Sequence, residues 1–193
     1  MSKFTTPMIE NDDVKNIVST IESGYIYNGV YHRPNKQVAT ILKLQANMGC
    51  RINDIVNLKV ENIVFDGDTW KLDLTEQKTG KKRNFIVTTT TKDIIDKWCD
   101  EEGVYSGRLF KITNKNVWKF TRLCCDYLDL GHANCHSIRK NAGLRIFLAS
   151  GKDIALTQQY YQHASPSTTA HYLERSSKQM DDAITKATLN FNN

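Results

Sequence analysis

Before residue 60 apolar side chains recur at intervals of three and four. Val14, Ile17, Val18 and Ile21 form one stripe, and Val38, Ile41, Leu42, Gln45 and Met48 a second, so two helices with one buried face each are predicted. Gly24 to Pro34, between them, holds aromatics without a period and reads as a connecting loop. Gly49 ends the second helix, and a third is predicted from about Ile52 to Leu58. From Asn62 to Thr91 the period falls to two. Trp70, Leu72 and Leu74 alternate with Lys71 and Asp73, and Phe85 and Val87 continue the alternation, which predicts a small antiparallel sheet. Asp66-Gly67 marks a turn before its first clear strand, and Lys78-Thr79-Gly80-Lys81 joins that strand to the next. After Thr91 helical spacing returns, broken only at Glu102-Gly103, Gly131, Gly151 and Pro166. The expected class is mainly α with a small antiparallel β-sheet (α+β), with residues 1–193 forming one domain.

Composition narrows the field only slightly. The 193 residues are 40% hydrophobic, enough to bury one substantial core. Lys and Arg total 26 against 21 Asp and Glu, a mildly basic balance compatible with a nucleic-acid partner. Cys50, Cys99, Cys124, Cys125 and Cys135 are odd in number and sit among apolar residues, which fits a reducing cytosol. No signal-peptide pattern and no run of eighteen apolar residues appears. A soluble, cytoplasmic protein without a membrane partner is expected. Zinc at Cys124, Cys125, His132, Cys135 and His136 is disfavoured, because adjacent cysteines in an apolar helix lack ligand spacing.

Several residue pairs carry possible chemistry, each with a plain alternative. His136 and Arg139 lie three apart, on neighbouring faces of one helix. Ile138, Ala142, Ile146 and Ala149 form the apolar stripe of that helix, with Arg139 at its edge and Gly143 leaving room for close approach. A guanidinium held there suits a phosphate, although surface or structural roles are commoner for such a pair. Arg51 lines up with Ile55 and Leu58 on a buried helix face, where a charge needs a partner. Asp54, one turn on, is the local candidate for a purely structural pair. Ser165 and Pro166 suit a helix start after His163, a helix that would carry Tyr172. Any one tyrosine is more often a packing residue than a nucleophile. Lys78, Lys81, Lys82 and Arg83 crowd one hairpin, where a solvated turn is the plain reading.

The order and spacing of these residues are more specific than any of them alone. Arg51, Lys78, His136-x-x-Arg139, His163 and Tyr172 together resemble the active-site series of the tyrosine recombinases, the phage-integrase family. GCRINDIVNLKVENI, QKTGK and QHASPSTTAHYL resemble the family's first-arginine, hairpin-lysine and histidine-to-tyrosine segments. Ser137 stands where many relatives have Asp, and Gln162 where Gly is usual, so the subfamily is left open. By this resemblance the first helix is expected to open the catalytic part, with no counterpart of the family's N-terminal DNA-clamping domain in residues 1–193.

The resemblance implies a catalytic domain that cuts and rejoins double-stranded DNA through a 3′-phosphotyrosyl bond, without metal, ATP or other cofactor. It makes Tyr172 the nucleophile, places Arg51, Arg139 and His163 on the phosphate, and gives His136 and Lys78 the roles of base and general acid. Lys81, Lys82 and Arg83 would then lie along the DNA backbone. The partners implied are DNA and further protomers, as a tetramer in a synaptic complex. The rival readings are a type IB topoisomerase, a DNA-binding module that has lost catalysis, and a helical interaction protein.

The tail from Leu173 carries a narrow apolar stripe, Met180, Ala183, Ile184 and Ala187, on an otherwise charged helix. Docking on its own domain is the plain alternative. By resemblance it docks on a neighbouring protomer. Removing residues 176–193 is accordingly expected to spare DNA binding by one protomer and weaken cooperative assembly, as read by gel shift and recombination. A truncated chain that assembles and recombines like the full one would contradict this.

Overall fold

The computed structural model describes residues 6–161. His163, Tyr172 and the tail therefore lie outside the described residues. Helix α1 (Asn11–Ser23) buries Val14, Ile17, Val18 and Ile21, as the stripe predicts. Helix α2 (Lys36–Met48) is buried on most of its circumference and touches α1, α3 (Ile52–Val56), α4 (Thr89–Glu102) and α6 (Cys135–Ala149). It starts at Asn35, whose side chain accepts from the Val38 amide at 3.0 Å, and stops at Gly49 in the left-handed conformation. Helix α5 (Asn114–Tyr127) packs on α1 and α6, and α7 (Ile154–Tyr161) on α6.

The segment expected as a plain loop is instead a hairpin, β1 (Tyr25–Tyr27) and β2 (Val30–His32), paired antiparallel. Its turn residues Asn28 and Gly29 both have positive φ, the geometry that Asn-Gly supports. Three-residue strands are too short to display a period of two, which is why the sequence pattern hides them. The larger sheet is antiparallel in the order β3-β4-β5, formed by Ile63–Phe65, Trp70–Thr75 and Lys82–Ile86. The third helix closes at Val56, shorter than the pattern suggested.

Helix α6 departs from the amphipathic picture. Ile138 and Ala142 are buried, but so are Arg139, Lys140 and Asn141, because neighbours cover it on several sides. Lys140 Nζ donates to Thr6 O at 2.8 Å, and Asn141 Nδ2 to Ile9 O at 3.1 Å, tying the chain start across it. The space at Gly143 is taken by protein. A Cβ added there would stand 1.7 Å from the Tyr161 hydroxyl oxygen, so α7 can pack on α6 only while residue 143 has no side chain. Gly143→Ala is expected to destabilise the fold by about 1–3 kcal/mol through overpacking, despite the better helix propensity of alanine. Urea denaturation checks this, and a neutral or stabilised variant would contradict the packing.

Candidate active site

The β4–β5 hairpin builds one side of the site. Leu74 pairs with Arg83 and Leu72 with Phe85, so these four share the inward face, and the alternation carries on to Glu76 just past the strand. Glu76 and Arg83 are both fully buried. Arg83 Nη1 lies 3.2 Å from Cys50 Sγ and 3.6 Å from Glu76 Oε1, and its Nη2 donates to the Tyr160 carbonyl. Its guanidinium also lies over the Phe85 ring, 5.0 Å from the centroid. The expectation that Arg83 runs along DNA is therefore corrected: its strand parity turns it into the core. Lys81 and Lys82 are exposed, with Lys82 Nζ 3.2 Å from Asp73 Oδ1.

Arg51 is the residue before α3, in extended conformation. Its partner is Glu76, not the nearby Asp54: Arg51 Nη1 donates to Glu76 Oε2. The same oxygen accepts from Thr79 Oγ1 at 2.6 Å. Burial pushes the Glu76 carboxyl up, but Thr79, Arg51 and Arg83 outweigh it and hold the group below its ordinary value, as the anion. Asp54, also buried, accepts from the Gln77 amide at 3.1 Å. Burial first, and the Glu76 charge after the opposing Gln77 hydrogen bond, push the Asp54 carboxyl up. Lys78, exposed in the turn, is thus flanked by two residues held by buried carboxylates, Gln77 by Asp54 and Thr79 by Glu76.

Helix α6 carries two further candidates. Asn134 caps it, with Oδ1 accepting from the His136 amide at 2.9 Å, and the Ser137 hydroxyl accepts from the Asn134 amide at 3.2 Å. This fixes the turn that presents His136, which is exposed, and Arg139, which is buried. Arg139 Nη2 reaches the Tyr161 carbonyl at 3.5 Å, and Tyr161 Oη donates to the Arg139 carbonyl at 2.6 Å. Partial desolvation lowers the His136 pKa, and the positive charges of Arg139, Lys78, Arg51 and Lys140 lower it further. Geometry ties these residues in two pairs: Glu76 binds both Arg51 and the Thr79 hydroxyl next to Lys78, and His136 and Arg139 stand one turn apart on α6.

Tyr160 and Tyr161 are occupied by packing. The Tyr160 hydroxyl is pushed up to about 12, chiefly by burial, and the Tyr161 hydroxyl is spent on the Arg139 carbonyl. Neither is suited to attack. The cysteines are free and buried, and no group of three metal-ligating side chains comes together among the described residues. No helix among those residues is long and apolar enough to cross a membrane. Glu76 is the site residue that the sequence reading missed. Its place two residues beyond Leu74, on the inward parity, was the available signal.

Comparison with known proteins bears on the family and the fold. The model of the phage integrase family matches residues 7–179. A tyrosine recombinase, XerA of Pyrococcus horikoshii, is 27% identical over 190 residues, covering 94% of this chain and 61% of its own length. The chain thus spans under two thirds of that relative. A solved structure of XerA recombinase superposes with a TM-score of 0.73 at 16% identity, covering 99% of this chain and 67% of the other. A lambda integrase tetramer bound to a Holliday junction gives 0.69 at 16% identity, covering 100% and 53%.

The lowered His136 pKa gives a direct test. Its NMR titration midpoint is expected below the ordinary value of about 6.5, and Lys78→Met should raise it by removing one repelling charge. Because the folded state favours the neutral ring, its contribution to stability is present above the unfolded pKa and is lost as pH falls through the folded one. A midpoint at or above the ordinary value, unmoved in Lys78→Met, would contradict the clustering of cations.

Proposed function

The chain belongs to the phage integrase family, and from that premise we propose that it is a site-specific DNA recombinase working through a covalent phosphotyrosyl intermediate. The observation that carries this reading is the match of the family model to residues 7–179, supported by the Glu76 carboxylate that holds Arg51 and the turn of Lys78 together. Phosphoryl transfer asks a protein chiefly for positioning and charge stabilisation, and fixed guanidiniums supply both to non-bridging oxygens. In the proposed step Tyr172 Oη attacks phosphorus, the bond to the 5′ oxygen breaks, and a 3′-phosphotyrosyl link remains. His136 accepts the tyrosine proton, directly or by relay. Lys78 gives a proton to the departing 5′ oxygen. Arg51, Arg139 and His163 hold the phosphate, with Lys81 and Lys82 on the neighbouring backbone. Attack by a second 5′ hydroxyl reverses the chemistry, so strands are exchanged without ATP.

The working assembly in this proposal is a tetramer of protomers on DNA, in the cytoplasm, with residues 1–193 as one catalytic unit. Support comes from family membership and from a neighbour in the fold, lambda integrase, solved as a tetramer on a Holliday junction.

The test is covalent capture from a random-sequence pool of nicked duplexes. Wild-type chain is expected to form adducts in excess EDTA, and Tyr172→Phe to bind DNA but form none. Adducts from Tyr172→Phe, or activity restored only by a divalent ion, would overturn the mechanism. Relaxation of supercoils without exchange between two sites would replace recombination by topoisomerase action.

A further inference from the structure

We propose that Glu76 is a positioning residue whose buried carboxylate ties Arg51 to the hydroxyl beside Lys78, so that phosphate holder and proton donor are set in place together. This deepens the recombinase reading and rests on it for the roles of Arg51 and Lys78.

The two groups are carried by different elements. Arg51 precedes α3 and Lys78 sits on an exposed turn; α3 holds that turn at Gln77, through Asp54 and Asn53, but has no bond to Thr79 on the other side of Lys78, where Glu76 acts. Glu76 Oε2 bridges them, accepting from Arg51 Nη1 on one side and from Thr79 Oγ1 at 2.6 Å on the other. The bridge is rigid because its root is buried. Glu76 is fully covered, and its backbone pairs across the turn, its amide donating to Lys81 O and its carbonyl accepting from the Gly80 amide, both at 2.9 Å. Arg83, also fully covered, stands 3.6 Å from the other carboxylate oxygen. A dry carboxylate between two guanidiniums is costly to move, since either cation would be left underneutralised. Arg51 keeps further donors for a phosphate, because a guanidinium carries five N–H groups.

Two measurements test this, one without DNA. Amide exchange at Gly80, followed by NMR, is expected to quicken on the order of tenfold or more in Arg51→Ala and in Thr79→Val, the scale of losing a hydrogen bond to a charged group. Thr79→Ser should restore it, and the Leu72 and Phe85 amides should stay protected. Unchanged exchange at Gly80 in Arg51→Ala would overturn the tie.

The second uses a duplex captured by the wild-type chain, with either oxygen or sulfur at the 5′ leaving position. Thr79→Val is expected to form adducts on the order of tenfold more slowly on oxygen and at the wild-type rate on sulfur, which departs without a proton. Glu76→Gln should be slow on both, because Arg51 is affected as well. Thr79→Val matching wild type on oxygen, or slow on both substrates, would overturn the link to Lys78. A wild-type chain that captures no duplex would sink the recombinase reading, while the exchange measurement still decides the tie.

Discussion

Burying guanidinium groups without leaving their charge unanswered is the constraint around which this molecule is arranged. Arg83 and Arg139 are covered almost completely, and Arg51 is mostly covered. An isolated buried cation is prohibitively costly, and the chain answers with the buried carboxylate of Glu76 and with backbone carbonyls such as that of Tyr161. Glu76 does most, serving Arg51 and Arg83 at once. With its folded pKa below the ordinary value, the stabilisation it supplies is present above the unfolded pKa. It is lost as pH falls through the folded pKa.

The same cations hold the last described turn of α7. The carbonyls of Tyr160 and Tyr161, the last described residues of α7, accept from Arg83 and Arg139 respectively. Glycines make the approach possible: a Cβ at Gly49 would stand 2.3 Å from the Tyr160 hydroxyl oxygen, and one at Gly143 closer still to that of Tyr161. Packing, hydrogen bonds and charge therefore meet at α7, after which the chain runs on to His163 and Tyr172.

Much of this was readable from sequence, because periodicity reports burial. The stripes of α1 and α2 are buried as the intervals of three and four required, and Trp70 to Val87 forms the antiparallel sheet with Lys78 at its turn. Motif order brought Arg51, Lys78, His136 and Arg139 to notice, although each is unremarkable alone. What escaped was partnership across the chain. Asp54 looked like the mate of Arg51 because it is one helical turn away, yet the mate lies 25 residues on. Arg83 was grouped with Lys81 and Lys82 by charge, when its parity with Phe85 and Val87 already turned it inward. In α6, burial on several sides erased the amphipathic stripe, since Arg139, Lys140 and Asn141 are covered as well as Ile138.

In the proposed reaction the site's cations and its imidazole serve the making of a covalent link to DNA, and the chemical identity of that link is the most direct point of contact with experiment. Mass spectrometry of the protease-digested adduct would locate the attached nucleotide and the polarity of its bond. The account predicts a peptide carrying a nucleotide through its 3′ phosphate on Tyr172, with a free 5′ hydroxyl on the released strand. A nucleotide on another residue, or one joined through its 5′ phosphate, would contradict it.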